Sequence, residues 1–599
     1  MKRLMTRAEV DPAQTWNLDD LFASREAWLA ECEGIERALP TITGYQGRLG
    51  EGAAQLLACL DARDALLARL QRASVYAGLR NAEDGRDPQR QAALAQANSL
   101  GARVEAAIKF VDTEILALPG GTIDRYLQAE PGLAVHRTDL RDLEALKPHM
   151  LSPETERVLA ALGEVLGAPA MIYNRAKASD MRFEPFTDPA GASQPNSFNL
   201  YEWTYEGSPE VGVRRAAWKT FCQGLKPYQH TFGATFATEV SKNIVLARAR
   251  HHASAERFLL HEHKVPFEFY TTVLDTIQAE LSPHMRRYAR LRKRVLGLDE
   301  LLYCDLKATL DPGYTPKISF EEAGALILEA LAPMGEDYVA TVRNAFERRW
   351  IDRANNIGKS SGAFCASPYG VHPYILMTWA GSMRDAFVLA HELGHAGHFA
   401  LAGRHQRYVN TRPAMPFVEA PSIMNEVLLA RQILARGGDP RMRRWVLMQV
   451  LGTYHHNFVT HLLEAELQRQ VYRLAESGTP VTADLLNERK AAILARFWGD
   501  TLVIDEGAAM TWMRQPHYYF GLYPYTYSVG LVAATCLAQK AEREGAAVMT
   551  GWLDVLRAGG TLQPLELMRK VGIDLASPLP LRDAVGYVGQ LVAELEASF

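Results

Sequence analysis

The residues with the clearest chemical potential are two histidines and a glutamate in the stretch from Ser382 to Gly403. His391, Glu392 and His395 form the pattern H-E-x-x-H. Histidines four positions apart lie one turn apart on the same face of a helix, so both imidazoles can bind a single zinc ion. The glutamate beside the first histidine can then take the proton of an attacking water molecule. The spacing therefore predicts a metal-dependent hydrolase.

The surroundings of this motif argue against a chance match on an ordinary helix. Between Ala386 and Ala402, Glu392 is the only charged residue, and the others are apolar, small or histidine. Such a composition predicts a helix that is buried on nearly all sides. A buried carboxylate without a partner is unfavourable, and a metal site accounts for Glu392. Ser382 with Asp385 predicts the helix N-cap, and Gly403 predicts its end.

The third metal ligand has to come from outside the motif. A catalytic zinc site has three protein ligands, whereas a structural site is closed by four. The metzincin pattern fails, because a leucine stands ten residues after His391. His398 lies too far along the helix to share the metal and is expected to support a ligand or to face the core. The next predicted helix offers Glu419 and Glu426 on one face, and spacing does not choose between them. The other glutamate can orient a histidine through its second ring nitrogen.

Several segments together resemble the thimet-oligopeptidase-like family of zinc peptidases, and within it the oligoendopeptidase F branch. They are HELGHAGH followed by FVEAPSIMNE, WMRQPHYYFGLYPYTYSVG near the C-terminus, and WNLDDLF near the N-terminus. The resemblance implies one zinc ion per chain, with Glu419 as its third ligand. It leaves Glu426 as an acidic residue that supports the ligands.

The same resemblance implies further site residues. His517 and Tyr527 are expected to face the metal and stabilise the tetrahedral intermediate, with Tyr523 and Tyr525 as helpers that contact the substrate. The segment GKSSGAFC resembles a glycine-containing strand of the family that pairs with bound peptide. This implies four substrate-binding residues, namely Ser361, Gly362, Ala363 and Phe364.

The rest of the sequence predicts a mainly α protein with one small β-sheet beside the zinc-binding helix. Apolar residues recur at helical spacing over most of the chain. Only residues 360–379 alternate in a way that predicts two short strands. The predicted helical segments include 88–118, 153–166, 233–250, 321–347, 417–436, 440–475 and 482–497.

A polar stretch at 183–197 predicts a junction between two parts of the chain. We expect an N-terminal helical region over 1–190, with a subdomain of the oligopeptidase F type at about 110–185, and a catalytic zinc peptidase domain over 191–599. The resemblance implies that two helical halves enclose a deep channel, which admits short peptides and excludes folded proteins.

Composition excludes several classes of protein. The 599 residues carry a net charge of -4 without a basic patch, so nucleic acid is not an expected partner. No apolar run reaches the ~18–20 residues of a membrane-spanning helix, and no apolar segment of a secretory signal follows the first basic residues. The six cysteines are far apart, which excludes a thiolate zinc site and favours a cytoplasmic location. The sequence does not predict an oligomeric state.

The sequence therefore predicts a zinc-dependent endopeptidase that hydrolyses internal bonds of short peptides. A dipeptidyl carboxypeptidase or carboxypeptidase on the same site is an alternative, for which Arg514 is a candidate to bind the substrate C-terminus. A non-catalytic peptide-binding protein and a structural zinc protein are further alternatives. His456, His461 and Glu464 are candidates for a second metal cluster, but polar residues on a long helix are the preferred interpretation.

Overall fold

The structure is a computed structural model that describes residues 5–599, with only the backbone at Pro153. Residues 1–4, which include the first basic residues considered above, lie outside the described residues. Helices dominate the chain, as the periodicity predicts. The helices of the N-terminal region are α1 Arg25–Thr43, α2 Ala53–Glu83, α3 Pro88–Ala117, α4 Thr122–Ala129, α5 Arg137–Leu146, α6 Pro153–Ala161, α7 Gly163–Leu166 and α8 Ala168–Arg175.

The helices that follow build the larger part of the molecule. Those before the H-E-x-x-H motif are α9 Phe198–Leu200, α10 Val211–Leu225, α11 Gln229–Ala249, α12 Ala255–His263, α13 Phe267–Val295, α14 Phe320–Ala330 and α15 Glu336–Glu347. Those from the motif onward are α16 Met383–His405, α17 Ala420–Arg436, α18 Pro440–Tyr454, α19 His461–Glu476, α20 Ala483–Trp498, α21 Glu506–Ala509, α22 Pro524–Glu544, α23 Ala546–Ala558, α24 Pro564–Arg569 and α25 Leu579–Ala597. The prediction of a mainly α fold is confirmed.

Two small sheets complete the described part of the chain. In the polar stretch, β1 Phe186–Thr187 and β2 Ser193–Gln194 form an antiparallel hairpin. The other sheet contains β3 Ile351–Asp352, β4 Phe364–Ala366 and β5 Tyr374–Leu376 in the order β3-β5-β4. In it, β5 pairs parallel to β3 and antiparallel to β4. The two strands predicted within 360–379 are β4 and β5, whereas the two-residue β3 is too short for a pattern of alternation.

Buried apolar side chains form two clusters, and the three-stranded sheet lies between them. One cluster is built mainly from residues 16–143, and the other from residues 173–595. Neighbouring residues of β5 belong to different clusters: Tyr374 and Leu376 join the N-terminal one, and Ile375 joins the other. Because successive side chains of a strand point to opposite faces, the sheet links the two cores. The division at 190 and 191 stays a prediction.

The H-E-x-x-H motif lies in the middle of α16, which packs against α17, β4 and β5. The capping box predicted at its start is present, because the Ser382 hydroxyl accepts the Asp385 N–H and the Asp385 carboxylate accepts the Ser382 N–H. The predicted end at Gly403 is wrong: the helix continues to His405 and ends where Gln406 becomes extended. In residues 5–599 no helix is both long and apolar enough to cross a membrane.

Candidate metal centre and active site

The two histidines of the motif face a shared space on α16. His391 and His395 are half-buried, with their ring centroids 5.0 Å apart and their planes at 82°. They are one turn apart, which directs both Nε2 atoms to the same side of the helix. The residues at the neighbouring positions, Glu392, Leu393 and Gly394, are buried. The helix therefore presents its histidines along one accessible face.

Helix α17 brings Glu419 to this face. Glu419 is the residue immediately before α17, and its Oε2 accepts a hydrogen bond from the Ser422 hydroxyl at 3.2 Å. The two helices approach each other closely at Gly394. A Cβ atom there would lie 2.4 Å from Ser422 Cα and 2.6 Å from the Pro421 carbonyl oxygen. Glycine is thus required at this position of the motif for Glu419 to reach the histidines.

The three side chains have the spacing of zinc ligands. Glu419 Oε2 lies 3.4 Å from His391 Nε2 and 3.6 Å from His395 Nε2. Two atoms that each bind zinc at about 2.0–2.1 Å with tetrahedral angles are about 3.3–3.4 Å apart. Among residues 5–599, these are the only histidine, cysteine, aspartate or glutamate residues that form such a group of three. Two histidines and one carboxylate are the donor set of a catalytic zinc site, so the residues fit this ion.

Glu426 contacts the other side of His391. Its Oε1 accepts the Nδ1–H of His391 at 2.7 Å, and its Oε2 accepts the Thr453 hydroxyl at 3.4 Å. This bond fixes the proton on Nδ1 and leaves Nε2 to face Glu419. The structure therefore places Glu426 where the sequence analysis expects a residue that orients a ligand.

The carboxylates around the histidines favour a positive charge at the site. Burial lowers the pKa of His391, but hydrogen bonds to Glu419 and Glu426 outweigh burial and raise this pKa well above its ordinary value. Burial raises the pKa of Glu419, yet His391 and His395 hold it at about 2. Two carboxylates thus hold positive charge on an imidazole between them. A divalent cation can supply that charge.

Glu392 is buried beside the ligands, with 6% of its surface exposed. Burial raises the pKa of its carboxyl group to about 7. In the described part of the chain, its carboxylate has no hydrogen-bond donor, in contrast to those of Glu419 and Glu426. A carboxylate that is not held by other groups is available to exchange a proton with a bound molecule.

The C-terminal segment reaches the metal centre through α22. Gly530 of this helix packs on Glu419, because a Cβ atom at Gly530 would lie 2.8 Å from Glu419 Cβ. Tyr527 is one turn earlier on the same face, and the charge of Glu419 acts on its hydroxyl. Burial keeps the pKa of Tyr527 above its ordinary value, so the group remains a hydrogen-bond donor.

His517 lies beside this tyrosine. Its Nδ1 donates to Gln515 Oε1 at 3.1 Å, which leaves Nε2 as an acceptor 3.4 Å from the Tyr527 hydroxyl. The Tyr523 ring stacks on His517 at 5.5 Å and meets Tyr527 edge-on at 5.2 Å. His517, Tyr523 and Tyr527 therefore form one aromatic group next to Glu419.

Other residues from the sequence analysis lie away from the metal centre. Tyr525 is two positions from Tyr523 and Tyr527, so it points to the opposite side of α22, where its hydroxyl lies 3.1 Å from His263 Nδ1. His398 is fully buried beside Phe399, and neither of its ring nitrogens has a hydrogen-bond partner within residues 5–599. The structure does not bring Tyr525 or His398 into contact with the ligands.

Arg514 is neutralised by carboxylates rather than exposed to the site. Its guanidinium is buried and donates to Glu202 and Glu206, each at 3.0 Å. An arginine with two such partners is not free to bind the C-terminus of a peptide. The structure gives the carboxypeptidase alternative no support from this residue.

The residues expected to bind the peptide backbone straddle the start of β4. Ser361, Gly362 and Ala363 precede the strand, and Gly362 has φ +83°, a conformation that favours glycine. Phe364 is the first strand residue. β4 is at the edge of its sheet, so no other strand of residues 5–599 pairs with its side away from β5.

Sequence reasoning missed the role of His461 and His456 in this region. The His461 ring stacks on Tyr527 at 4.2 Å and 12°, and its Nε2 lies 3.1 Å from His456 Nε2. A π-helical turn at His455–Thr460 joins α18 to α19 and sets their direction. Such turns are frequent at functional sites, but the one extra residue is not visible in an apolar pattern.

A mainly α fold that holds two histidines and a glutamate from adjacent helices is the architecture of a metallopeptidase. The model of peptidase family M3 matches residues 204–587, and that of oligopeptidase F matches residues 114–183. The chain belongs to peptidase family M3, and it is a metalloendopeptidase of the oligoendopeptidase F type.

Individual relatives extend the match over the whole chain. Oligopeptidase PepF of Bacillus subtilis is 30% identical over 99% of this chain and 88% of its own length. The crystal structure of a predicted peptidase from Chlamydophila abortus has a TM-score of 0.90 and 26% identity, covering 100% of both chains. Oligoendopeptidase-F from Enterococcus faecium has a TM-score of 0.74 and 26% identity, covering 97% of this chain and 99% of its own.

Proposed function

We propose that the chain uses zinc to hydrolyse internal bonds of short peptides. The observation that carries this proposal is the triangle of His391, His395 and Glu419, whose distances of 3.4 and 3.6 Å to the glutamate oxygen suit one zinc ion. Glu392 stands next to this triangle on the same helix. When bound, zinc supplies Lewis acidity, which lowers the pKa of a water molecule towards ~7 and polarises a carbonyl group.

The proton transfers are assigned to Glu392. Its carboxylate accepts the proton of the attacking water and passes it to the nitrogen of the leaving amine. Burial raises the pKa of this carboxyl group to about 7, which suits a group that first accepts and then donates a proton near neutral pH. His391 is kept in the orientation that this arrangement needs by Glu426.

Tyr527 and His517 are assigned to the substrate carbonyl. The Tyr527 hydroxyl, which lies 3.4 Å from His517 Nε2, turns to donate a hydrogen bond to the developing oxyanion. A donor in such a position contributes about 2.7–4 kcal/mol in comparable sites. His517 acts on the carbonyl through Tyr527, because its Nε2 accepts the tyrosine hydroxyl and keeps it at the site, and Tyr523 packs against both.

The peptide is proposed to extend β4 as an added strand, with Ser361–Phe364 at its start. The substrate channel then runs between two helical halves, with residues 1–190 forming the N-terminal region and 191–599 the catalytic domain. The six cysteines are free thiols in the structure, which supports a reducing cytoplasmic location. Short peptides are the proposed partners, rather than nucleic acid or a membrane.

Product mapping of a peptide pool by mass spectrometry tests this function. The pool contains peptides of 5–20 residues, on the order of the lengths that an extended site accepts, with free and with amidated C-termini. We expect internal cleavage of both kinds, loss of cleavage with a chelator, and recovery with about one zinc ion per chain. Release of C-terminal residues from free-acid peptides only would instead identify a carboxypeptidase. Metal binding without any cleavage would identify a peptide-binding protein.

A further inference from the structure

A cavity of about 340 Å³ lies along the C-terminal half of α16, beyond the two histidines of the motif. Phe399 forms part of its wall and lies one turn after His395, on the same face of the helix. The two rings are 6.4 Å apart with their planes at 20°. Residues 367–373, which directly follow β4, form another part of the wall. The cavity therefore begins one helical turn from a metal ligand and directly after the strand proposed to bind the peptide.

The lining that the described residues give this cavity is basic and aromatic, and it contains no aspartate or glutamate. Its basic residues are His372, Arg404 and Arg412, and its aromatic residues are Trp350, Tyr369, His372 and Phe399. Two of the basic groups have acidic partners outside the cavity. Arg404 Nη1 lies 3.4 Å from Asp337, and His372 Nε2 lies 3.0 Å from Asp20.

Arg412 is the basic residue of the lining whose charge is not matched by a carboxylate of the described chain. Its guanidinium lies over the Phe399 ring, 5.3 Å from the centroid, and the residue is exposed. The charges of Arg412 and Glu392 both act on the thiol of Cys365 in β4. The guanidinium is thus held by stacking near the site of cleavage, with its five N–H donors available.

We propose that this cavity is a substrate subsite in which Arg412 binds a carboxylate of the peptide. The carboxylate belongs either to an aspartate or glutamate side chain or to the C-terminus. A guanidinium binds a carboxylate through two parallel hydrogen bonds, and the aromatic walls suit the apolar stem of such a side chain. This inference rests on the proposed peptidase function and specifies the substrates that the site prefers.

The test compares kcat/KM for a series of peptides in which a single glutamate replaces glutamine at each position around the cleaved bond. Each peptide is made with a free and with an amidated C-terminus. The wild-type enzyme is expected to prefer glutamate at one position, or the free C-terminus, by about two- to fivefold, the range of an exposed ion pair. A preference for glutamate at one position would show that Arg412 binds a side-chain carboxylate. A preference for the free C-terminus would show that it binds the terminal carboxylate.

Substitutions then assign the preference to Arg412. Arg412→Gln should remove the preference while leaving kcat/KM for the neutral peptides within about twofold. Arg412→Lys should retain part of it, and Arg412→Glu should favour lysine at the same position. Arg294→Gln is the control for the loss of one positive charge, since Arg294 is exposed on α13 and is not part of the cavity lining; it should leave the preference unchanged.

Two outcomes overturn the inference. One is equal cleavage of glutamate and glutamine peptides by the wild-type enzyme, together with equal cleavage of free and amidated peptides. The other is a preference that Arg412→Gln leaves intact. If the wild-type enzyme cleaves no peptide, the proposed function fails. The role of Arg412 is then tested by peptide binding instead of cleavage. Fluorescence anisotropy of acidic and neutral peptides on the Glu392→Gln and Glu392→Gln/Arg412→Gln variants gives that binding comparison.

Discussion

Replacing Gly394 by alanine should separate the metal ligands without changing any of them. The added Cβ atom would lie 2.4 Å from Ser422 Cα and 2.6 Å from the Pro421 carbonyl oxygen. Ordinary contacts of this kind start near 3.4 Å. Because both neighbours are backbone atoms, no side chain can turn aside, and the start of α17 must retreat by roughly 1 Å. Glu419, which directly precedes α17, moves with it.

The size of the effect follows from this displacement. Metal–ligand distances tolerate only about ±0.2 Å, so a shift of roughly 1 Å in Glu419 takes it out of range. We expect zinc affinity to fall by about 10- to 100-fold, the range found when the support of a ligand is lost. Overpacking costs about 1–3 kcal/mol, and the higher helix propensity of alanine returns about 0.8–1 kcal/mol. The metal-free protein should therefore remain folded but become less stable by up to about 2 kcal/mol.

The assay measures zinc affinity by competition with a chromogenic chelator, alongside urea unfolding of the metal-free protein. Gly452→Ala in α18 and Gly586→Ala in α25 are matched controls, because a Cβ at either helical glycine would have no atom of residues 5–599 within 4 Å beyond its own stretch of helix. Both controls should bind zinc like the wild-type protein and gain up to about 1 kcal/mol in stability. A folded Gly394→Ala variant with wild-type zinc affinity would show that the close approach of α16 and α17 at this glycine does not position Glu419.

Three further predictions concern other contacts. Glu426→Ala should weaken zinc binding by about 10- to 100-fold, because His391 Nδ1 loses its 2.7 Å acceptor, and high zinc should restore activity. The exposed Glu488→Gln should change neither zinc affinity nor activity. Chelator competition measures the zinc affinity of both variants. Tyr527→Phe should lower kcat by about 10²–10³ at unchanged zinc content, and an equal loss in Thr526→Ser, at the next position, would point to a structural effect instead. Burial, with the nearby charges of His149, His261 and Arg250, lowers the pKa of His252 to about 4, below its ordinary value of ~6.5. Folding stability should therefore fall as pH drops from 7 towards 4, and the melting temperature of His252→Phe should fall less steeply than that of the wild-type protein.

The parts of the site that could be predicted from the sequence are those with a fixed period. His391 and His395 lie one turn apart because the helix requires it, and Glu426 lies two turns after Glu419 for the same reason. The capping box depends only on contacts between Ser382 and Asp385, which are three positions apart in the chain. The resemblance to a family added Glu419, His517 and Tyr527, whose positions in space no local pattern specifies.

The parts that could not be predicted depend on contacts between distant segments. The sequence gives no reason for a glycine at Gly394, because the reason is its contact with the start of α17. Tyr525 shares a cluster of tyrosines with Tyr523 and Tyr527, and only the start of α22 shows that it faces away. His461 reaches Tyr527 because a π-helical turn shifts the phase of the helix, which apolar periodicity over 440–475 does not show. These features are set by packing rather than by spacing in the chain.

In the proposed mechanism, Glu392 is the group that accepts the proton of the attacking water. The Glu392→Gln variant keeps the size of the side chain and removes its ability to accept that proton. Zinc content by mass spectrometry and cleavage of a quenched fluorescent peptide are measured on the same preparation, with Glu488→Gln as the control. We predict about one zinc ion per chain and a loss of cleavage of at least about 10²-fold. Cleavage by the zinc-loaded variant at the wild-type rate would contradict the role of Glu392 as the proton acceptor.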